Sequence, residues 1–209
     1  MMYDPADLHA RRQLDESDYQ FICVPHDLWH CQLAGVQESV RSKVERFVHN
    51  AVPWLCKGMG MWVFGPPGVG KSGIAALLTK VAFAHRFDAR FVSVAQLQED
   101  IRHRRAYEDD QPALIRAQEV CFLALDDLTS QDATNPVFGA TALSSFLALR
   151  ASHQRPTVVT TQMSQRQVEE VFPGILGRSR YKMPFLIVEG HNLRALEEQK
   201  AQQLLDGGA

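Results

Sequence analysis

The run "FGPPGVGKSG", residues 64–73, packs four glycines and two prolines into ten positions that also hold a lysine and a serine. Glycine and proline both weaken helix and strand interiors, so the run reads as a loop. Its flanks are regular. "MWVF" (61–64) is a short apolar segment of the kind that forms a buried strand. In "KSGIAALLTKVAFAHRF", Ile74, Leu77, Leu78, Val81 and Ala82 recur at helical spacing. Strand, glycine-rich loop and helix, with Gly65-x4-Gly70-Lys71-Ser72 between, is the P-loop pattern.

The residue types suit phosphate. Glycines let backbone N–H groups turn toward phosphate oxygens, and a helix starting near Gly70 adds its positive dipole end. Lys71 offers a point charge to the terminal phosphates, and Ser72 a hydroxyl to Mg²⁺. The expected ATP-binding set is Gly65, Pro66, Pro67, Gly68, Val69, Gly70, Lys71, Ser72 and Gly73. A second element should hold the metal and the attacking water. "VCFLALDDL" (120–128) is an apolar strand ending in two acids, which a parallel sheet delivers to its ligand-binding carboxyl edge. Asp126 is the candidate Mg²⁺ partner, through water, and Asp127 the candidate for orienting the water.

The remaining segments alternate. Strands are expected at 89–94, 157–161 and 184–190, and helices at 95–105, 112–120, 137–153, 164–172 (with Ser164 as N-cap) and 192–205. That alternation predicts a three-layer α/β fold around a parallel sheet. Only about 20 residues follow the last strand, which leaves little or no helical lid. With 45% hydrophobic and 22% charged residues and a net charge of -2, no global basic field advertises nucleic acid. No apolar run reaches the ~18 residues of a membrane span. Four cysteines and a polar N-terminus point to a soluble, reducing, cytoplasmic setting. Cys56 and Cys121 read as small core residues, and His85 and His153 as helix C-terminal residues. Cys23, His26, His30 and Cys31 invite a zinc reading, but adjacent His30 and Cys31 would diverge on a helix.

Several motifs together resemble one family, the AAA+ ATPases of the DnaC/IstB group, over about residues 25–195. "VPHDLWHCQLAGV" is similar to its lead-in, "GPPGVGKS" and "FLALDDL" to its nucleotide motifs, and "VVTTQM" to its sensor 1 strand. "GILGRSR" is similar to the stretch that carries its arginine finger, and "EGHNLR" to its closing Gly-x-Ser-x-Arg. The resemblance implies that Arg178, with Arg180 as runner-up, reaches the γ-phosphate of a neighbouring subunit, and that Arg194 touches the nucleotide of its own. It implies assembly in ATP. Gln162 stands where the family has Asn, one methylene longer, and Asp127 where many AAA+ proteins have Glu; both suit slow hydrolysis.

The resemblance further implies a DNA path between the second and third strands, where "IRHRRAYEDD" places Arg102, Arg104, Arg105 and Tyr107. The cations would track phosphates and the ring would stack on a base. The alternative is a solvated, self-paired charged helix. Residues 1–24 are read as an arm suited to partner docking and residues 25–209 as the ATPase domain. The expected function is an ATP-dependent, DNA-associated ATPase that loads or recruits a partner, foremost a replicative helicase, on single-stranded rather than duplex DNA. The alternatives are a transposition helper that works with a transposase on duplex DNA and a nucleotide-binding adaptor without a DNA role.

Overall fold

The computed structural model describes residues 12–105, 112–179 and 182–205. Five parallel strands form one sheet: β1 (Met61–Phe64), β2 (Ala89–Ser93), β3 (Phe122–Leu128), β4 (Thr157–Thr161) and β5 (Phe185–Ile187), in the order β2-β3-β4-β1-β5. Because β4 separates β1 from β3, the glycine loop and the acid pair leave the sheet on either side of β4.

Side chains alternate across the sheet, as a two-residue period requires. Met61, Val63, Phe122, Ala124 and Val158 enter one core, and Trp62, Phe64, Leu123, Leu125 and Val159 the other. Both faces are covered, which is why the strands read as continuous apolar runs. On the first face lie α2 (Glu38–His49), α3 (Ala51–Cys56) and α4 (Lys71–Ala84). The second is covered by α5 (Val94–Arg105), α6 (Pro112–Glu119), α7 (Ala140–Ser152), α8 (Gln165–Val171) and α9 (Ile175–Ser179). The remaining helices are α1 (Glu16–Phe21) and α10 (Leu193–Leu205).

The three-layer α/β expectation holds, with shifted boundaries. Val94 begins α5 instead of ending a strand, and β3 starts at Phe122 instead of Val120. The helix expected at 137–153 begins at Ala140, after Gly139, and its buried face includes Arg150. Ser164 caps α8 as expected, in a reciprocal capping box with Gln167. His85 and His153 are the C-caps of α4 and α7. Cys56 and Cys121 are a correction: both are exposed, one closing α3 and the other in the bend before β3. Small apolar character placed them in the core, but chain position puts them on the sheet's amino edge.

Residues 12–24 lie against the α/β core. Arg12 N donates to Ala84 O, Ile22 is fully buried, and Phe91 N donates to Ile22 O, covering part of the outer edge of β2. Arg12 also pairs with the buried Asp18. Among the described residues no helix is long and apolar enough to cross a membrane.

Candidate functional site

The glycine loop leaves β1 and enters α4 at Lys71, with Gly70 as N-cap at φ 91°. Gly68 has φ 80°, and a Cβ there would sit 1.9 Å from Asn192 Oδ1. Only glycine fits both the left-handed backbone and that approach. The start of α10 is thereby seated on the loop: Leu193 N donates to Gly68 O at 2.8 Å, and Asn192 Oδ1 accepts from Arg194 N and Ala195 N. Arg194 is exposed at the mouth of the cleft.

Within the cleft, Lys71 Nζ donates to Pro66 O at 2.8 Å. Burial pulls its pKa below the ordinary lysine value; Asp127 and Asp126 oppose that shift, and Arg194 adds to it. Lys71 therefore senses all three charges across one cavity of about 270 Å³, which Ser72, Thr160 and Gln162 also line.

The acid pair owes its geometry to a break in β3. Pairing with β4 shifts register between Leu125 and Leu128, and Asp127 adopts φ 58° in that irregularity. A bulge re-aims side chains, here turning two consecutive acids toward one cleft. Thr160 on β4 holds both. Its Oγ1 donates to Asp126 Oδ1 at 2.6 Å and accepts from Asp127 N at 2.9 Å. Asp127 Oδ1 accepts from Gln162 Nε2 at 3.2 Å, so the longer amide reaches its acid. Burial raises the Asp126 pKa above the ordinary carboxylate value; hydrogen bonds from Thr160 and the Ser72 hydroxyl and the charge of Lys71 pull the other way. A hydroxyl and a carboxylate from different elements, meeting beside a lysine, are hard oxygen donors that fit Mg²⁺.

Next to this polar cleft lies a more apolar cavity of about 390 Å³, walled by His30, Cys31, Val36, Val69, Ile74 and Leu193. Together the two cavities offer a place for a flat apolar group beside one for a chain of anions. The lead-in forms the outer wall. The start of α2, just after it, is bound to the far side by Gln37 Nε2 donating to His191 O and Ser39 Oγ donating to Glu189 O. Lys80 of α4, 8% exposed, donates to Trp29 O and Cys31 O at 2.9 and 2.6 Å. Burial lowers its pKa.

Other candidate residues lie elsewhere. Arg178 is on α9, and its side chain falls outside the described residues, as does all of Arg180. Arg102 is exposed and pairs with Glu99 at 2.5 Å; Tyr107 and the side chains of Arg104 and Arg105 are outside the described set. Of the Cys/His cluster, the His26 ring meets Trp29 at a tilt, centroids 4.6 Å apart, while Cys31 faces the cleft, and no described group of three or more acids, cysteines and histidines is placed to hold a metal.

Sequence reading missed Thr160, Lys80 and Asn192. A hydroxyl near the carboxyl end of an apolar strand was a signal for Thr160, and a lysine within an otherwise apolar helix one for Lys80. Asn192, three residues ahead of Ala195, carried an N-cap signal.

The arrangement has relatives among solved structures. The DnaC helicase loader superposes with a TM-score of 0.68 at 19% identity, covering 79% of this chain and 100% of that one. DnaI gives 0.66 at 22% identity, covering 81% and 94%. The replication initiator DnaA bound to AMPPCP and single-stranded DNA gives 0.65 at 10% identity, over 87% of this chain and 56% of that one. By fold, this chain is similar to these proteins. No family model matches the sequence, and no curated protein matches it. The fold is thus shared at low sequence identity. Its five-stranded parallel sheet is the frame that brings Lys71, Ser72, Asp126, Asp127, Thr160, Gln162 and Arg194 to one cleft.

Proposed function

We propose that this chain is an ATP-dependent switch protein of DNA replication that binds ATP with Mg²⁺, assembles with copies of itself and loads or recruits a replicative helicase. The observation that carries the reading is the shared cleft: the P-loop lysine and serine face two acids held by one threonine, in a fold like those of a helicase loader and of an initiator bound to AMPPCP and single-stranded DNA.

In this reading the loop N–H groups and Lys71 hold the β- and γ-phosphates, and the apolar cavity takes the base. Ser72 and Asp126 would hold Mg²⁺, which neutralises charge developing on the phosphate oxygens. Asp127 orients the attacking water, and Gln162 steadies Asp127. An aspartate, one methylene shorter than glutamate and held by a neutral amide, suits a slow switch better than a fast motor. Arg178 of another copy completes the site, and Arg102, Arg104, Arg105 and Tyr107 contact single-stranded DNA.

Fluorescence anisotropy on single-stranded and duplex oligonucleotides, with and without ATP, tests the functional class. Single-strand binding that rises with ATP and falls with salt is the expected result. Preference for duplex would point to the transposition-helper alternative, and no DNA binding at any salt would overturn the replication reading.

A further inference from the structure

The wall of the apolar cavity has little structure of its own. Between α1 and α2 the chain forms two three-residue 3₁₀ turns, His26–Leu28 and Leu33–Gly35, joined by a turn at Trp29–His30 and a short link ending in the extended Gln32. The segment's internal hydrogen bonds close only short local turns, so its position on the core depends on contacts from outside.

Lys80 is the fastening. It lies nine residues after Lys71 on α4, with its stem inside the core and its ammonium under the lead-in. Nζ donates to Trp29 O and Cys31 O, reaches Leu28 O at 3.5 Å, and lies 5.4 Å from the Tyr19 ring centroid. An ammonium has three donors, and three carbonyls of one bend converge on it. They lie at the carboxyl end of a 3₁₀ turn, where carbonyls point away from the turn. The fastened bend packs on the first turn of α4: a Cβ at Gly73 would sit 3.1 Å from Cys31 Sγ. One helix therefore offers Lys71 and Ser72 to the cleft from its first turn and pins the cavity wall from its third.

We infer that Lys80 is a positioning residue for the nucleotide, fixing the bend at Leu28–Cys31 and so setting affinity while leaving the phosphate chemistry untouched. The inference rests on the nucleotide reading above. Its physical basis is preorganisation: a wall already ordered in the free protein is not ordered at the expense of binding. Without the ammonium, Trp29 O and Cys31 O lose this donor, and the bend samples positions that do not fit the base.

The test compares wild type, Lys80→Met and Lys80→Gln for ATP affinity, by calorimetry with Mg²⁺, and for steady-state turnover. Methionine keeps the stem and removes every donor. Glutamine keeps one donating amide. Lys80→Met is expected to weaken ATP binding about tenfold, the size of losing a charged hydrogen-bonding group, with kcat within about twofold. Lys80→Gln should fall between. A second readout is alkylation of Cys31 by N-ethylmaleimide in a background with Cys23, Cys56 and Cys121 changed to serine. Labelling should be faster in Lys80→Met than in the parent and less protected by ATP. Wild-type affinity in a folded Lys80→Met, or a fall in kcat matching the fall in affinity, would overturn the inference. If Lys80→Met does not fold, Lys80→Gln decides in the same way. Failure of the wild type itself to bind ATP would overturn the nucleotide reading, and this inference with it.

Discussion

Thr160 Oγ1 stands between the two acids of β3, donating to the Asp126 carboxylate at 2.6 Å and accepting from the Asp127 backbone N–H at 2.9 Å. One hydroxyl on β4, itself 1% exposed, thus fixes a side chain and the neighbouring left-handed backbone. Thr160→Val keeps shape and buries the same volume, but leaves both partners unsatisfied. Turnover is expected to fall about 10- to 100-fold, from the ~1–3 kcal/mol that a lost buried partner costs. ATP affinity should stay within about threefold, and Thr160→Ser should restore most of the rate. Equal turnover in the valine variant would show that the acids need no such strut.

Asp126 carries a stability cost that has a pH signature. Its folded-state pKa is raised by burial, so the folded state holds the proton more tightly than the unfolded chain does. Its contribution to stability is therefore most favourable below the ordinary carboxylate pKa and declines as pH rises through the window up to the raised value. At neutral pH the buried charge is a burden. Asp126→Asn keeps an oxygen to accept from Thr160 and removes that charge. Without nucleotide its melting temperature at pH 7 should rise by about 2–4 °C, the equivalent of ~1 kcal/mol in a chain of this size, while ATP turnover is lost. A lower melting temperature would contradict the assignment of burial as the dominant effect.

Arg150 is a cation in the core. Its guanidinium donates to Ala117 O, Val120 O, Pro156 O and Thr157 Oγ1 at 2.7–2.9 Å and is fully buried. Burial pulls its pKa down to about 9, so it stays protonated at neutral pH. It ties the approaches to β3 and β4 together on the edge remote from the cleft. Arg150→Met should cost ~3 kcal/mol, because the carbonyls it satisfied remain buried, and should lower the urea midpoint by about 1 M. ATP affinity of the remaining folded protein should not change. An unchanged midpoint would mean that water replaces the guanidinium.

Arg178→Ala should retain ATP binding and lose turnover and ATP-dependent assembly. Mixed with Lys71→Ala, it should recover some activity, because an intact P-loop in one copy can meet an intact arginine in another. Turnover assays on the separate and mixed variants check this. Full activity in Arg178→Ala with loss in Arg180→Ala would move the finger by two residues.

How much of this was legible follows from what local pattern can carry. β1 and β4 fall where apolar runs placed them, because a doubly covered parallel strand has no polar face to blur its ends. The P-loop was legible because spacing itself is the signal. Val40, Val44, Phe47 and Val48 mark the buried face of α2, yet the expected elements left residues 38–49 unassigned. Asp127 was placed at the cleft, but the bulge and left-handed backbone that aim it depend on pairing with β4, which no local run encodes. Lys80 reaches 49 to 52 residues back along the chain to its carbonyls, so its role appears only after folding.

The central claim is that the loop at 65–73 holds ATP through Lys71. Isothermal titration of Mg·ATP into wild type and Lys71→Ala, with melting curves to show that both are folded, tests it most directly. The account predicts saturable one-site binding by wild type and loss of detectable binding in Lys71→Ala, since the charge facing the β- and γ-phosphates is gone. Equal affinity in the two folded proteins would contradict it.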